Sequence, residues 1–332
     1  MPQSAERRVP FERLGVPSQG LGFWLNYRWR EEVFMALDRK ESNPSSLPST
    51  TPRRERTPAE KVTPPVVYQL PGMADVIVHS NLKYSEIDNP FLLMDIYTPP
   101  SVSGRADFPI VVLVHGAAGA QYKPKDWGLF RSWGRLIAAA GMVAAVFTHR
   151  LSYPKPLLAE AALDVSNAID FIRARAGSCN ADPGHIALIA WSGGGPLLSV
   201  AIRQQPSLAH CLLAFYAYLD IQRSPTHIEH GTAELLKMYS PISYLDGNAS
   251  NMPLFVARAG QDEIPGMNDS IDRFVAAAVA ANSPLTFMNH PSGEHGFDNQ
   301  NDDERSREII RAALDFLRTH VGVTRSPARD AG

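Results

Sequence analysis

The run IALIAWSGGGPLLSVAI places one serine, Ser192, between an apolar β-branched stretch and a helical pattern opened by glycines. A hydroxyl is a weak nucleophile until something exposes it, removes its proton and stabilises the oxyanion that forms on its target. A tight strand-to-helix turn meets the first need. Gly193 and Gly194 allow a strained backbone and close helix packing, and the free amides of the helix N-terminus face the serine. The usual G-x-S-x-G pattern is broken only at its first position, where Ala190 makes the segment A-W-S-G-G. Taken alone, the segment reads as well as an N-cap serine in a glycine-rich turn.

Three further segments bear on that choice. The run IVVLV is followed by HGAAGAQ, where the main-chain N–H of Ala117, with Ala118 as an auxiliary, is expected to converge with that of Gly193 on a developing oxyanion. His115 is read as a buttress of this loop, because what the loop needs is main-chain geometry. After PLFVARA comes GQDE, so Asp262 leaves a late strand on a turn, where a carboxylate can hold the tautomer of a histidine and favour its imidazolium. After LTFMN comes HPSGEHGFD, which puts His295 on a glycine-flanked loop before the last helical pattern. Glu263 and Asp269 are the rivals of Asp262; Asp269 reads as a helix N-terminal charge. Trp191, Ala118 and Tyr216 are expected to line the substrate, with Tyr218 nearby, although strand aromatics belong to cores more often than to sites.

The elements that must position these residues are short β-branched runs alternating with longer helical patterns, as in parallel strands joined by crossover helices. Strands are predicted at 76–79, 92–97, 110–114, 142–148, 186–190, 212–216, 254–259 and 285–289, and helices at 127–140, 157–176, 194–203, 270–281 and 303–320. Residues 219–251 break the rhythm and are predicted to form a small cap insertion over the carboxyl ends of the sheet, where open α/β folds bind ligands. The expected domain runs over 66–322. Before it, 1–40 reads as a helical arm, with Trp24, Tyr27, Phe34 and Leu37 near helical spacing. The span 41–65 is a Pro/Ser/Thr-rich linker or strap, and 323–332 a frayed tail.

Composition narrows the partner. Of 332 residues 44% are hydrophobic and 20% charged, with a net charge of -2, which gives no electrostatic reason to expect nucleic acid or an anionic membrane. A small molecule is the expected partner, and a homodimer is compatible with the sequence. No apolar run approaches the roughly 18 residues of a bilayer span and the charged N-terminus lacks a signal-peptide core, so a cytoplasmic location is expected. The two cysteines, Cys179 and Cys211, are read as buried free thiols. His227 and His230 form H-x-x-H without the glutamate or third ligand of a zinc site, and no metal or cofactor is expected. His149 and Arg150 are read as structural.

The segments HGAAG, WSGGG, AGQD and EHGF, with LLMDIYTP similar to an early strand, together resemble the α/β-hydrolase superfamily over residues 66–322, nearest its dienelactone-hydrolase and small-carboxylesterase branch. The chain order Ser, Asp, His matches that superfamily and neither common protease order. The resemblance implies a mostly parallel eight-stranded sheet flanked by helices and acyl-ester hydrolysis through an acyl-enzyme, with no cofactor. It departs from the dienelactone hydrolases proper, which carry cysteine where this chain has Ser192; that shifts the expectation toward ordinary esterases acting on a small ester or lactone. A water-excluding cap would instead let the same residues perform acyl transfer, lactonisation or cyclisation. A ligand-binding pseudo-hydrolase is the third reading, which a complete triad disfavours.

Overall fold

The computed structural model describes residues 63–100, 107–203, 207–247 and 251–322. The expected helical arm, nearly all of the linker and the tail lie outside them. Eight strands form one sheet: β1 (Ile77–Lys83), β2 (Leu93–Thr98), β3 (Phe108–Val114), β4 (Val143–Phe147), β5 (Ala181–Trp191), β6 (Cys211–Phe215), β7 (Leu254–Ala259) and β8 (Leu285–His290). Their spatial order is β1-β2-β4-β3-β5-β6-β7-β8. β2 is antiparallel to both neighbours and every other pair is parallel.

Alternate residues of the central strands face two separate cores, as a pleated strand covered on both sides requires. Ile110, Val112 and Val114 face one core with Ala145 and Leu188, and Val111 and Leu113 face the other with Ala144 and Ile189. The first core is closed by the helices α2 (Leu158–Arg175), α3 (Ser199–Arg203) and α6 (Met267–Ala280). The second is closed by α1 (Gly128–Ala139) and α8 (Glu304–Val321). This is the α/β-hydrolase fold, in which Ala117, Ser192, Asp262 and His295 follow the carboxyl ends of β3, β5, β7 and β8.

One expectation changes in detail. The helix predicted from Gly194 begins as a 3-10 turn over Ser192–Leu198, and α-helical bonding starts only at Ser199. Three glycines and Pro196, which has no N–H to donate, make a poor α-helical start. The segment after β6 folds as α4 (Pro225–Ile228), α5 (Ala233–Met238) and a 3-10 turn at Pro241–Tyr244, with Leu236 and Tyr239 buried in the first core.

Both cysteines are buried free thiols, and burial pushes the Cys211 thiol up to about 12. No helix among the described residues is long and apolar enough to cross a membrane.

Candidate active site

Ser192 follows β5 directly, with its backbone in the left-handed region at φ +53. That conformation is uncommon for a residue with a Cβ and is kept only where the surroundings enforce it. The enforcement comes from close backbone packing. A Cβ on Gly194 would lie 2.4 Å from the His115 carbonyl oxygen, and one on Gly195 would lie 2.2 Å from that of Tyr218. A Cβ on Gly193 would stand 3.0 Å from the Ala117 nitrogen, which shows how near the two peptides come. Ala190, where a glycine is usual, lies inside β5 in register between Val114 and Ala214, so no left-handed backbone is asked of it and its methyl fits.

His295 sits on the loop after β8. Its Nδ1 is 2.7 Å from Asp262 Oδ2 and its Nε2 is 3.0 Å from Ser192 Oγ. With the Nδ1 proton directed at the carboxylate, Nε2 is the acceptor for the serine O–H. The Asp262 side chain is fully buried, and its other oxygen accepts the Ile264 N–H at 2.9 Å. Among the described residues no other carboxylate reaches His295. Glu263 is exposed, and Asp269 is exposed in the first turn of α6. The two loops are stitched by main-chain bonds, Gly260 N–H to His290 O and Gln261 N–H to Gly293 O, both 2.8 Å.

On the opposite side stands the turn after β3. The Ala118 N–H donates to Leu151 O at 2.9 Å, so it is not available as an auxiliary donor; Ala117, exposed, and Gly193, in the first turn of its helix, are the amides free of that commitment. His115 and His149 lie stacked beneath the turn, ring centroids 3.4 Å apart. The His115 Nδ1–H donates to Gly116 O and its Nε2 accepts the His149 N–H; the His149 Nε2–H donates to His115 O and its Nδ1 accepts the Leu151 N–H. Burial lowers the His115 ring to about 3 and holds His149 well below the usual range, so both are neutral braces. Arg150 forms a bidentate pair with buried Asp164. Among the described residues no group of side chains could hold a metal ion; His227 bonds Ser224 instead.

The expected substrate-lining residues divide. Ala118 lies buried beside the turn. Trp191 is a core residue, contrary to expectation: it is 1% exposed and its indole N–H donates to Asp298 at 2.9 Å, because β5 directs it to the opposite face from the turn. Tyr216 is also buried, 2% exposed, with its hydroxyl donating to Asp298 and its ring edge-on to His295 at 4.7 Å.

Sequence reasoning missed Asp298 itself, which accepts the Trp133, Trp191 and Tyr216 donors. Its position three residues after His295, beside an apolar Phe297, was the available signal. It also missed Lys125, buried with Nζ 3.1 Å from both oxygens of Asp95. In sequence that lysine reads as part of a polar loop.

The family model described as BD-FAE matches residues 94–210, and that of the prolyl oligopeptidase family matches residues 161–324. Among solved structures, a thermophilic esterase from Thermogutta terrifontis is similar at a TM-score of 0.58 and 20% identity, covering 77% of this chain and 96% of that one. A truncated carbohydrate esterase from gut microbiota reaches a TM-score of 0.60 at 16% identity over 74% and 97%. A bifunctional GH43-CE protein of Bacteroides eggerthii reaches 0.61 at 20% identity over 74% of this chain and 35% of that one. Among curated proteins, a stretch of 154 residues is 28% identical to the non-reducing polyketide synthase pkbA of Emericella nidulans; it makes up 43% of this chain, which spans only 6% of the synthase. The chain has the α/β-hydrolase fold, and the two family models that match parts of it support a place in the α/β-hydrolase superfamily.

Proposed function

We propose that the protein is a serine carboxylic-ester hydrolase acting on a small-molecule ester or lactone, in keeping with the small-carboxylesterase branch. The observation that carries the reading is the unbroken hydrogen-bonded chain from Ser192 through His295 to buried Asp262. In this mechanism Ser192 Oγ attacks the ester carbonyl as His295 Nε2 takes its proton. The buried Asp262 carboxylate holds the imidazole in register and favours the imidazolium. The amides of Ala117 and Gly193 hold the oxyanion. His295 then returns the proton to the leaving alcohol, and water attacks the acyl-enzyme by the same route.

Activity over p-nitrophenyl esters of graded acyl length tests hydrolysis and measures the acyl site together. The Ser192→Ala protein is expected to fold, to lose nearly all turnover and to lose labelling by a fluorophosphonate. Labelling of that variant as strong as the parent's would remove Ser192 from the nucleophile role.

The likeness to a polyketide synthase favours a second reading, in which an alcohol or amine intercepts the acyl-enzyme and the product is a transferred or cyclised acyl chain. Product analysis with added acceptors separates the two: hydrolysis yields free acid whatever acceptor is present.

A further inference from the structure

Asp298 is fully buried, in the first turn of the short helix α7 (Phe297–Gln300) that begins after Gly296. Its Oδ2 accepts the indole N–H of Trp133 at 2.8 Å and of Trp191 at 2.9 Å, and its Oδ1 accepts the Tyr216 hydroxyl at 2.6 Å. Among the described residues no cation pairs with it. Burying a carboxylate this way is costly, and an apolar cluster of equal volume would often serve stability as well or better. What distinguishes the arrangement is the identity of its partners. Trp191 is joined to Ser192, Trp133 packs on Trp191 at 5.4 Å, and Tyr216 lies edge-on to the His295 ring at 4.7 Å. Tyr216 also holds a left-handed backbone, φ +37, unusual for an aromatic residue and the kind of strain that clusters at functional sites.

We propose that Asp298 is a positioning residue for His295, acting through Tyr216: its carboxylate anchors the phenol so that the ring braces the imidazole with Nε2 on Ser192 Oγ, while its grip on Trp191 holds the serine turn in the same frame. The inference rests on the reading of Ser192 and His295 given above. It attributes the effect to hydrogen-bond geometry, not to charge. Asparagine at 298 could keep its carbonyl on the two indoles and donate its amide N–H to the Tyr216 oxygen, whereas alanine keeps none of the three contacts.

The test uses the full chain and measures kcat and KM on one p-nitrophenyl ester, the rate of Ser192 labelling by a fluorophosphonate, and the melting temperature, for the parent, Tyr216→Phe, Asp298→Asn and Asp298→Ala. Tyr216→Phe keeps the ring and loses only the anchor. It is expected to slow labelling and kcat by about tenfold or more with KM nearly unchanged, as for an interaction that orients the reacting groups. Asp298→Asn should restore most of the rate relative to Asp298→Ala. Melting temperatures that fall while labelling and kcat stay parental would reduce the network to a core hydrogen bond and overturn the proposal. So would equal losses in Asp298→Asn and Asp298→Ala, which would assign the effect to charge; if Asp298→Ala does not fold, Tyr216→Phe decides alone. A parent protein whose Ser192 is not labelled at all would instead overturn the underlying nucleophile assignment, an outcome separate from these.

Discussion

Asp262 and Asp269 lie seven positions apart after the same strand, and what separates them is burial. The Asp262 side chain has no exposed surface and holds His295 Nδ1 and the Ile264 N–H, whereas Asp269 is an exposed helix-end charge. Losing a buried carboxylate that fixes a tautomer costs about 10⁴-fold in kcat in a serine protease. Asp262→Asn should therefore lower kcat by at least about 10²-fold with little change in KM. Asp269→Asn should change stability by about 0.3–1 kcal/mol and leave kcat nearly untouched. Kinetics of both variants on one ester check this, and the reverse ordering would move the acid role to Asp269. The neutral histidines away from the triad bear on stability. Burial lowers His115 to about 3 and His227 to about 4, so between those values and the ordinary ~6.5 the unfolded chain binds more protons than the folded one. Their contribution is complete above that ordinary value and is lost as pH falls. Urea midpoints should decline from pH 7 toward pH 4, less steeply in His227→Gln; an unchanged slope in that variant would clear His227 of the effect.

The element most sensitive to a small change is the turn between β5 and α3. Its serine is left-handed because three successive glycines let it press against the ends of β3 and β6, with no room for a methyl group at Gly194 or Gly195. Gly195→Ala sets a Cβ against a main-chain oxygen of Tyr218, which cannot rotate away. We expect a loss of about 1–3 kcal/mol or more, read as a lower denaturant midpoint, because overpacking must move backbone. An Ala190→Gly change, by contrast, opens space in a well-formed strand. It should cost only the usual strand-glycine penalty and leave labelling of Ser192 intact.

At the scale of the molecule, the described chain reaches the body already at residues 63–67. The Val66 N–H donates to Ser132 Oγ at 2.8 Å, the Val67 N–H to the Asp298 main-chain oxygen at 2.8 Å, and Asn299 Nδ2 to Pro64 O at 3.2 Å. The segment 63–67 thus ends on the helical turn that carries Asp298. Deleting residues 1–60 should leave Ser192 reactive toward a fluorophosphonate, since every candidate catalytic motif lies beyond it, while changing stability or substrate range first. Deleting through residue 70 should slow labelling as well, because it removes the bond to Asp298. A well-folded 1–60 deletion with no labelling would show that the arm builds the site.

The eight strands and the main helices were legible because each depends on a local pattern: β-branched runs of strand length, apolar residues at helical spacing, and glycine or proline at the boundaries. The serine turn, the Asp262 turn and the His295 loop were legible for a related reason, since each must follow a strand directly and carries its own glycines. Contacts between distant segments leave no such trace. That Ala118 spends its amide on Leu151, that Trp191 faces the core, that His115 and His149 stack as neutral rings, and that Asp298 gathers donors from α1, β5 and the end of β6 all depend on which chains the sheet order brings together. Sequence by itself determined the residue types at the strand ends and their order along the chain. Tertiary structure alone decided which of them are buried, because burial is a property of neighbours as far as 33 and 165 positions away, and burial is what separates Asp262 from its rivals and makes a structural hub of Asp298.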